Sequence, residues 1–185
     1  MKSLLVIAAV PFLSVASPAL ATDADRGPLP VYSVDEIAWS RSEGSNQIEG
    51  SGRQMRNGVA KTCAGEKIFL RPRSTVEDRR NLVIFGSDRR ARITALRYME
   101  VAGTENPDMP VIPKTYDDDA RRATCSPDGR FSFSGLPDGE YYASVMVFPE
   151  EYRGKVTPIE TIDVLLQRVS VEGGRTTVLD LFSEL

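Results

Sequence analysis

The chain has 185 residues, 23 basic against 26 acidic side chains, a formal net charge of −3, two cysteines and no histidine. Such mild acidity argues against a dedicated nucleic-acid binder. The absence of histidine excludes any His-ligated metal centre and any His general acid or base supplied by this chain.

At the N-terminus, Lys2, the apolar run Leu4 to Leu13 and the small-x-small triplet Ala19-Leu20-Ala21 read as a signal peptide over 1–21, with cleavage after Ala21. Pro11, Ser14 and Ser17 interrupt the apolar stretch below the roughly 18–20 residues that span a bilayer. No later segment is apolar enough either, so no transmembrane segment is expected after cleavage, and the protein is expected to be periplasmic or secreted. Residues 22–45 read as an N-terminal leader, with Thr22 to Pro30 lacking any periodicity. Trp39, the only tryptophan, is expected to pin this leader to a core; an exposed Trp39 would instead suit a carbohydrate platform. The folded domain is expected over 46–185.

Within it, Asn46 to Gly50 opens the first strand, and Val59 to Cys63 and Lys67 to Leu70 read as two strands joined around Ala64-Gly65-Glu66. Ser74-Thr75-Val76-Glu77 matches a capping box, in which Ser74 accepts from the backbone three residues on and Glu77 reaches back; the helix it opens runs to about Phe85 and stops at Gly86. Arg92 to Val101 has strand-like character and a spacing that also suits a helical turn. Pro107, Pro110 and Pro113 make Gly103 to Tyr116 an extended loop. Asp117-Asp118-Asp119 follows, without the alternating spacing by which one loop wraps a calcium ion.

Two turn tetrads, Ser126-Pro127-Asp128-Gly129 and Leu136-Pro137-Asp138-Gly139, then bracket the alternating segment Arg130-Phe131-Ser132-Phe133. Pro presets φ at the second position and Asp-Gly supplies the residues that tolerate positive φ, so the pattern predicts a β-meander continuing through Glu140 to Phe148. Phe131, Phe133, Leu136, Val145 and Val147 are its expected core residues. After a loop over Pro149 to Pro158, Ile162 to Val171 and Thr176 to Phe182 predict a closing hairpin that turns at Glu172-Gly173-Gly174-Arg175. The fold class is all-β, an antiparallel sandwich of about seven strands with a short helix-containing insertion over 74–119.

Charge is unevenly distributed over that insertion. Residues 71 to 97 hold eight Arg against three acids, and residues 98 to 119 hold six acids against Lys114. One reading is that the two stretches neutralise each other across the fold; the other makes Arg89, Arg90 and Arg92 an anion-binding surface. In an oxidising compartment Cys63 and Cys125 are most simply one disulfide, the alternative being two free thiols.

The stretch Gly58 to Pro72, the Asp128-Gly129-Arg130-Phe131-Ser132-Phe133 segment with Leu136-Pro137-Asp138-Gly139-Glu140-Tyr141, and Val171 to Leu181 together resemble the carboxypeptidase regulatory-like domain, from about Ile48 to Phe182. That resemblance implies a prealbumin-like, Ig-like sandwich and a non-enzymatic role in positioning or adhesion, within a wider structural group that includes carbohydrate binders. Without histidine the chain cannot reproduce the zinc carboxypeptidases, the non-haem iron dioxygenases or the hydroxyisourate hydrolases of related folds. No catalytic residue, metal or cofactor is expected. The favoured function is an exported binding or scaffolding module whose partner is another envelope protein. A glycan-binding domain is the alternative, and would need aromatics such as Trp39, Tyr116 or Tyr152 on one surface; an unrecognised hydrolase is the third.

Overall fold

The computed structural model describes residues 28–181 other than 57, 104 and 153. The signal segment expected over 1–21 and the strand end expected at Phe182 lie outside the described residues. The chain is an all-β sandwich with a helical insertion. Its strands are β1 (Asn46–Ser51), β2 (Arg53–Arg56), β3 (Val59–Thr62), β4 (Lys67–Pro72), β5 (Arg90–Thr94), β6 (Arg121–Thr124), β7 (Arg130–Leu136), β8 (Gly139–Pro149), β9 (Asp163–Val171) and β10 (Thr176–Asp180). Two helices, α1 (Thr75–Phe85) and α2 (Ala95–Ala102), flank β5. Ten strands rather than about seven are present among the described residues, because the short β2, β5 and β6 carry too few alternating apolar positions to stand out in sequence.

The strands form a small sheet in the order β10-β1-β7 and a larger one built around β8. Along β8, β9 pairs with Gly139 to Val147, β4 with Tyr141 to Ser144, and β3 with Phe148 and Pro149; β2, β5 and β6 extend the sheet outward. The pairing is antiparallel except between β1 and β10, which run parallel from Gln47–Thr176 to Ser51–Asp180.

The expected meander is a different object. β6 and β8 belong to the large sheet and β7 to the small one, so both turn tetrads carry the chain across the sandwich instead of closing hairpins. The expected closing hairpin is likewise a corner, with β9 in the large sheet and β10 beside β1 in the small one. Turn chemistry dictates that the chain reverses; which strand it then pairs with depends on where its apolar face is buried. Gly129, at φ 84°, turns the first corner, and Ser126 braces it by accepting from Gly129 N at 2.9 Å and donating to Arg130 O at 2.7 Å through its backbone.

Facing sides of the two sheets make the core. Ile48, Phe131, Phe133, Leu136 and Leu179 from the small sheet meet Ile68, Leu70, Tyr141, Ala143, Val145, Val147 and Leu165 from the large one. β7 alternates buried Phe131 and Phe133 with exposed Arg130, Ser132 and Ser134, as a strand with one wet face should. Trp39 closes one end of this core, edge-on to Tyr141 with ring centroids 5.2 Å apart. A Cβ on Gly139 would overlap the Trp39 ring, so that corner requires glycine. Leader residues 28–45 therefore dock on the sandwich, with Ile37 and Ser40 buried. Cys63 and Cys125 are joined as a disulfide, Cα atoms 5.8 Å apart, tying the β3–β4 link to the β6–β7 corner.

The large sheet is covered on its second face as well. Val164 on β9 packs with Ala95, Ile162, Phe85, Ile93 and Tyr98 in a second apolar cluster under the helices. Burial on both faces explains why Val164-Leu165-Leu166 is continuously apolar where a half-buried strand would alternate. The insertion divides where the sequence was ambiguous: Arg90 to Thr94 pairs as β5 with β9, and Thr94 then caps α2 by accepting from Arg97 N at 3.2 Å. Ser74 caps α1 as expected, accepting from Glu77 N at 3.1 Å, and Gly86 at φ 71° ends it.

One buried side chain ties two corners together. Asn46, 1 % exposed, donates through Nδ2 to Leu136 O at 3.0 Å and Asp138 Oδ1 at 2.8 Å, and accepts through Oδ1 from Gly174 N at 2.7 Å and Arg175 N at 3.1 Å. Asp138 also accepts from Gly173 N at 3.0 Å. The Asn46 amide, followed by that backbone N–H, holds the Asp138 carboxyl below the usual carboxylate range. Replacing Asn46 with Ala strands these backbone groups and should cost on the order of 2–4 kcal/mol of unfolding free energy, read by urea denaturation. A loss below about 0.5 kcal/mol would show that the corners stand without it.

Candidate functional site

The helical insertion does not fill the space over the large sheet. A cavity of about 380 Å³ lies between α1, α2 and residues 112–117 on one side and β4, β8 and β9 on the other. Alternation in the strands sets its floor. On β4, Ile68 and Leu70 turn to the core while Phe69 and Arg71 turn outward; on β8, Tyr141, Ala143 and Val145 turn to the core while Tyr142, Ser144 and Met146 turn outward. The roof comes from one side of α1, where helical spacing brings Glu77, Asn81 and Ile84 together, with Arg80 beside them.

One wall is a buried polar junction. Arg71 Nε lies 3.4 Å from Glu77 Oε1, and its Nη2 donates to Asp117 Oδ1 at 2.6 Å. Tyr116 donates its hydroxyl to Glu77 Oε1. The Arg71 guanidinium lies over the Phe69 ring at 5.1 Å and the Tyr116 ring at 5.3 Å, and Arg80 lies over Tyr116 at 5.3 Å. Burial pushes the Glu77 carboxyl above the usual glutamate range, against the opposing pull of Arg71, of the Tyr116 hydroxyl and of Arg80. Burial, reinforced by the Glu77 charge, raises the Tyr116 phenol as well. Glu77 thus does not reach back to complete the capping box; Tyr116 and Arg71 occupy it.

Several donors in this cavity are unspent. Asn81, 5 % exposed, has its Nδ2 buried without a hydrogen-bond partner, and Arg71 Nε is also buried without one, its approach to Glu77 being an ion pair and not a hydrogen bond. Leaving a buried donor unmatched costs about 1–3 kcal/mol. Among the described residues no carboxylate pairs with Arg80, and no base is hydrogen-bonded to Ser144. The Tyr142 ring lines the cavity while its hydroxyl is taken by Asp78 at 2.5 Å. The arrangement offers rings and donors for holding a ligand, without a nucleophile and base set against each other.

The residues singled out in sequence lie elsewhere or play other parts. Arg89 is exposed before β5, and Arg90 and Arg92 lie on β5, which pairs with β9; none of the three lines the cavity. The basic and acidic stretches meet at Arg71–Asp117 and at Arg79–Asp108, 3.2 Å apart, while Arg73 turns instead to Asp78 and Glu140. Of the aromatics considered for a glycan strip, Tyr116 is buried, Trp39 is half-buried against Tyr141 and Tyr152 is half-buried near the end of β8, so they form no common exposed surface. Asp117 and Asp119 are engaged by Arg71, Tyr32 and Arg41. Among the described residues no group of acidic or cysteine side chains is placed to hold a metal ion. Arg80 is one of the eight Arg of the basic stretch, whereas Asn81 and Ser144 belong to no sequence motif; the helical spacing Glu77-Asn81-Ile84 is the signal that marks the buried side of α1.

No family model matches the chain, and no curated protein does either. Among solved structures it is similar to a "putative carbohydrate binding protein" from Pseudomonas aeruginosa, at 22% sequence identity and a TM-score of 0.57, over 83% of this chain and 99% of that one. At that identity the likeness shows the shared fold and nothing finer.

A carboxyl whose pKa is raised on folding binds its proton more tightly in the native state, so it contributes stability below its unfolded value that is lost as pH rises through the folded one. Wild type should therefore lose stability relative to Glu77→Gln as pH climbs from about 4. Urea titrations of both proteins between about pH 4 and pH 8 measure the difference; a wild type that gains on the variant over that span contradicts the burial argument.

Proposed function

We propose that this chain is a non-enzymatic, exported binding module whose ligand is a small glycan held in the cavity between the helical insertion and the large sheet. The observation that carries this reading is a cavity of about 380 Å³ walled by aromatic rings and containing buried polar donors without partners. Small-molecule sites are concave and mostly apolar, range over roughly 300–1,000 Å³, and place a few polar groups to fix orientation. Sugars match that mixture, because their C–H faces pack on rings such as that of Tyr98, which is half-exposed on the cavity wall, while their hydroxyls take side-chain donors. The similarity to a protein described as a putative carbohydrate binder supports the same reading.

Export rests on the Ala19-Leu20-Ala21 pattern and the Cys63–Cys125 bridge. The carboxypeptidase regulatory-like resemblance supports a module that holds and does not catalyse. A scaffolding role beside another envelope protein is a second reading. It is favoured by β2, which pairs only with β3 among the described residues and carries Met55 at 68 % exposure. Such an edge is open to strand addition.

The glycan reading is tested by thermal shift and calorimetry against a panel of mono- and disaccharides, neutral and acidic. At least one should raise the melting temperature of the wild type, since a ligand that binds only the native state stabilises it. Ser144→Phe, which pushes a ring into the empty volume, should fold normally and lose that response. A panel that leaves the wild type unmoved, or a response that survives Ser144→Phe, refutes the cavity as the site.

A further inference from the structure

We infer that the cavity selects acidic sugars: a glycan carrying a carboxylate, held at a subsite made by Asn81 Nδ2, Arg71 Nε and the Arg80 guanidinium. This rests on the reading of the cavity as a glycan site and names the class of glycan it takes.

Net charge does not make the selection. Three cations (Lys67, Arg71, Arg80) and three acids (Glu66, Glu77, Asp117) line the cavity, so its formal charge balances. What selects is which groups are still free. Glu77 is occupied by Tyr116 and Arg71, and Asp117 by Arg71. Lys67, exposed at the rim, gives one ammonium proton to Thr124 Oγ1 at 2.6 Å. Asn81 Nδ2 and Arg71 Nε remain buried without hydrogen-bond partners. Arg80 stacks on Tyr116 and acts on the Glu77 carboxyl from beyond ion-pair distance, with no carboxylate in a salt bridge to it among the described residues.

Donors therefore dominate the unspent capacity, and they are amide and guanidinium donors that cannot switch to accepting. A neutral sugar hydroxyl meets such a group with one lone pair and must place its own proton somewhere else. A carboxylate is acceptor-only, with about four lone-pair directions over two oxygens, and forms the stronger, charge-assisted bonds with guanidinium groups. Asn81 is the most informative member. A side-chain amide 5 % exposed in the wall of a cavity gains the protein nothing as packing, because an unmatched buried donor is a cost. The carboxylate alone does not use the remaining walls. The half-exposed Tyr98 ring and the apolar side chains of Ile112 and Met146 suit the C–H face of a pyranose, so the ligand is a sugar acid and not a simple organic acid.

The test compares digalacturonate, galactobiose and acetate, by calorimetry and thermal shift on the full chain. Wild type should bind digalacturonate at least about tenfold more tightly than galactobiose, the equivalent of one charge-assisted hydrogen bond, and should not respond to acetate at the same concentration. Asn81→Leu should melt no lower than wild type in the absence of ligand, since it removes a stranded donor, and should bring the ratio of the two disaccharides towards one. Arg80→Gln changes only a half-exposed side chain and should reduce the ratio without touching the buried amide, which keeps the claim testable if Asn81→Leu folds poorly. Galactobiose binding as tightly as digalacturonate overturns the acidic preference while leaving a glycan site in place. Acetate matching digalacturonate overturns the sugar. No binding by either disaccharide overturns both this inference and the reading on which it rests, and an undiminished ratio in both variants overturns the assigned subsite.

Discussion

The buried junction of Arg71, Glu77 and Tyr116 is what the functional part of this molecule depends on. Arg71 stands on the outward side of β4, Glu77 on α1 and Tyr116 in the turn that closes the insertion, so one cluster fastens the start and the end of the inserted segment to the same strand. Taking a carboxylate out of water is costly, and here a guanidinium, a phenol and three cation–ring contacts around it offset the cost. An all-apolar junction would pack as well. The polar one adds directional contacts that set α1 and the Tyr116 turn at defined distances from Arg71 on β4.

From this follows the division of labour between the two faces of the large sheet. Its inner face, with Ile68, Leu70, Val145 and Leu165, is spent on the core shared with the small sheet. Its outer face is only partly spent: Val164 packs under α2 and Phe85, and Arg71 and Tyr142 are held by partners on the insertion, while Ser144 and Met146 line the space left beside them. Sandwich folds commonly leave one face of a sheet to solvent. This chain covers that face with an insertion and stops short of filling the gap, which turns an ordinary outer surface into a partly open pocket.

How much of this the sequence disclosed depends on the range of the interaction. Local chemistry was readable: the Ser74 cap, the stop at Gly86, the turns at Asp128-Gly129 and Asp138-Gly139, and the alternation that buries Phe131 and Phe133. The partner of each strand was not. Corner and hairpin use the same turn residues, and only the long-range choice between sheets separates them, so a run read as a meander crosses the sandwich twice. Arg92 to Val101 resisted reading because its first residues belong to a strand and its last to a helix, and a single period cannot describe both. Glu77 looked like a capping residue because the tetrad Ser74 to Glu77 fits that role; its real partner lies 39 residues away. Asn81 carried no motif at all. Its significance is a negative property, a buried donor with nothing to donate to, and no sequence pattern encodes that.

The central claim is that Asn81 awaits a ligand, and its own side-chain amide protons report on it most directly. In a ¹⁵N–¹H spectrum of the uniformly labelled protein, the paired Asn81 Nδ2 resonances should move progressively as digalacturonate is added, together with backbone signals of Phe69, Arg71 and Ser144. Resonances that stay fixed at Asn81 while those of Arg89, Arg90 and Arg92, or of β2, respond instead would place the binding surface outside the cavity and contradict the account.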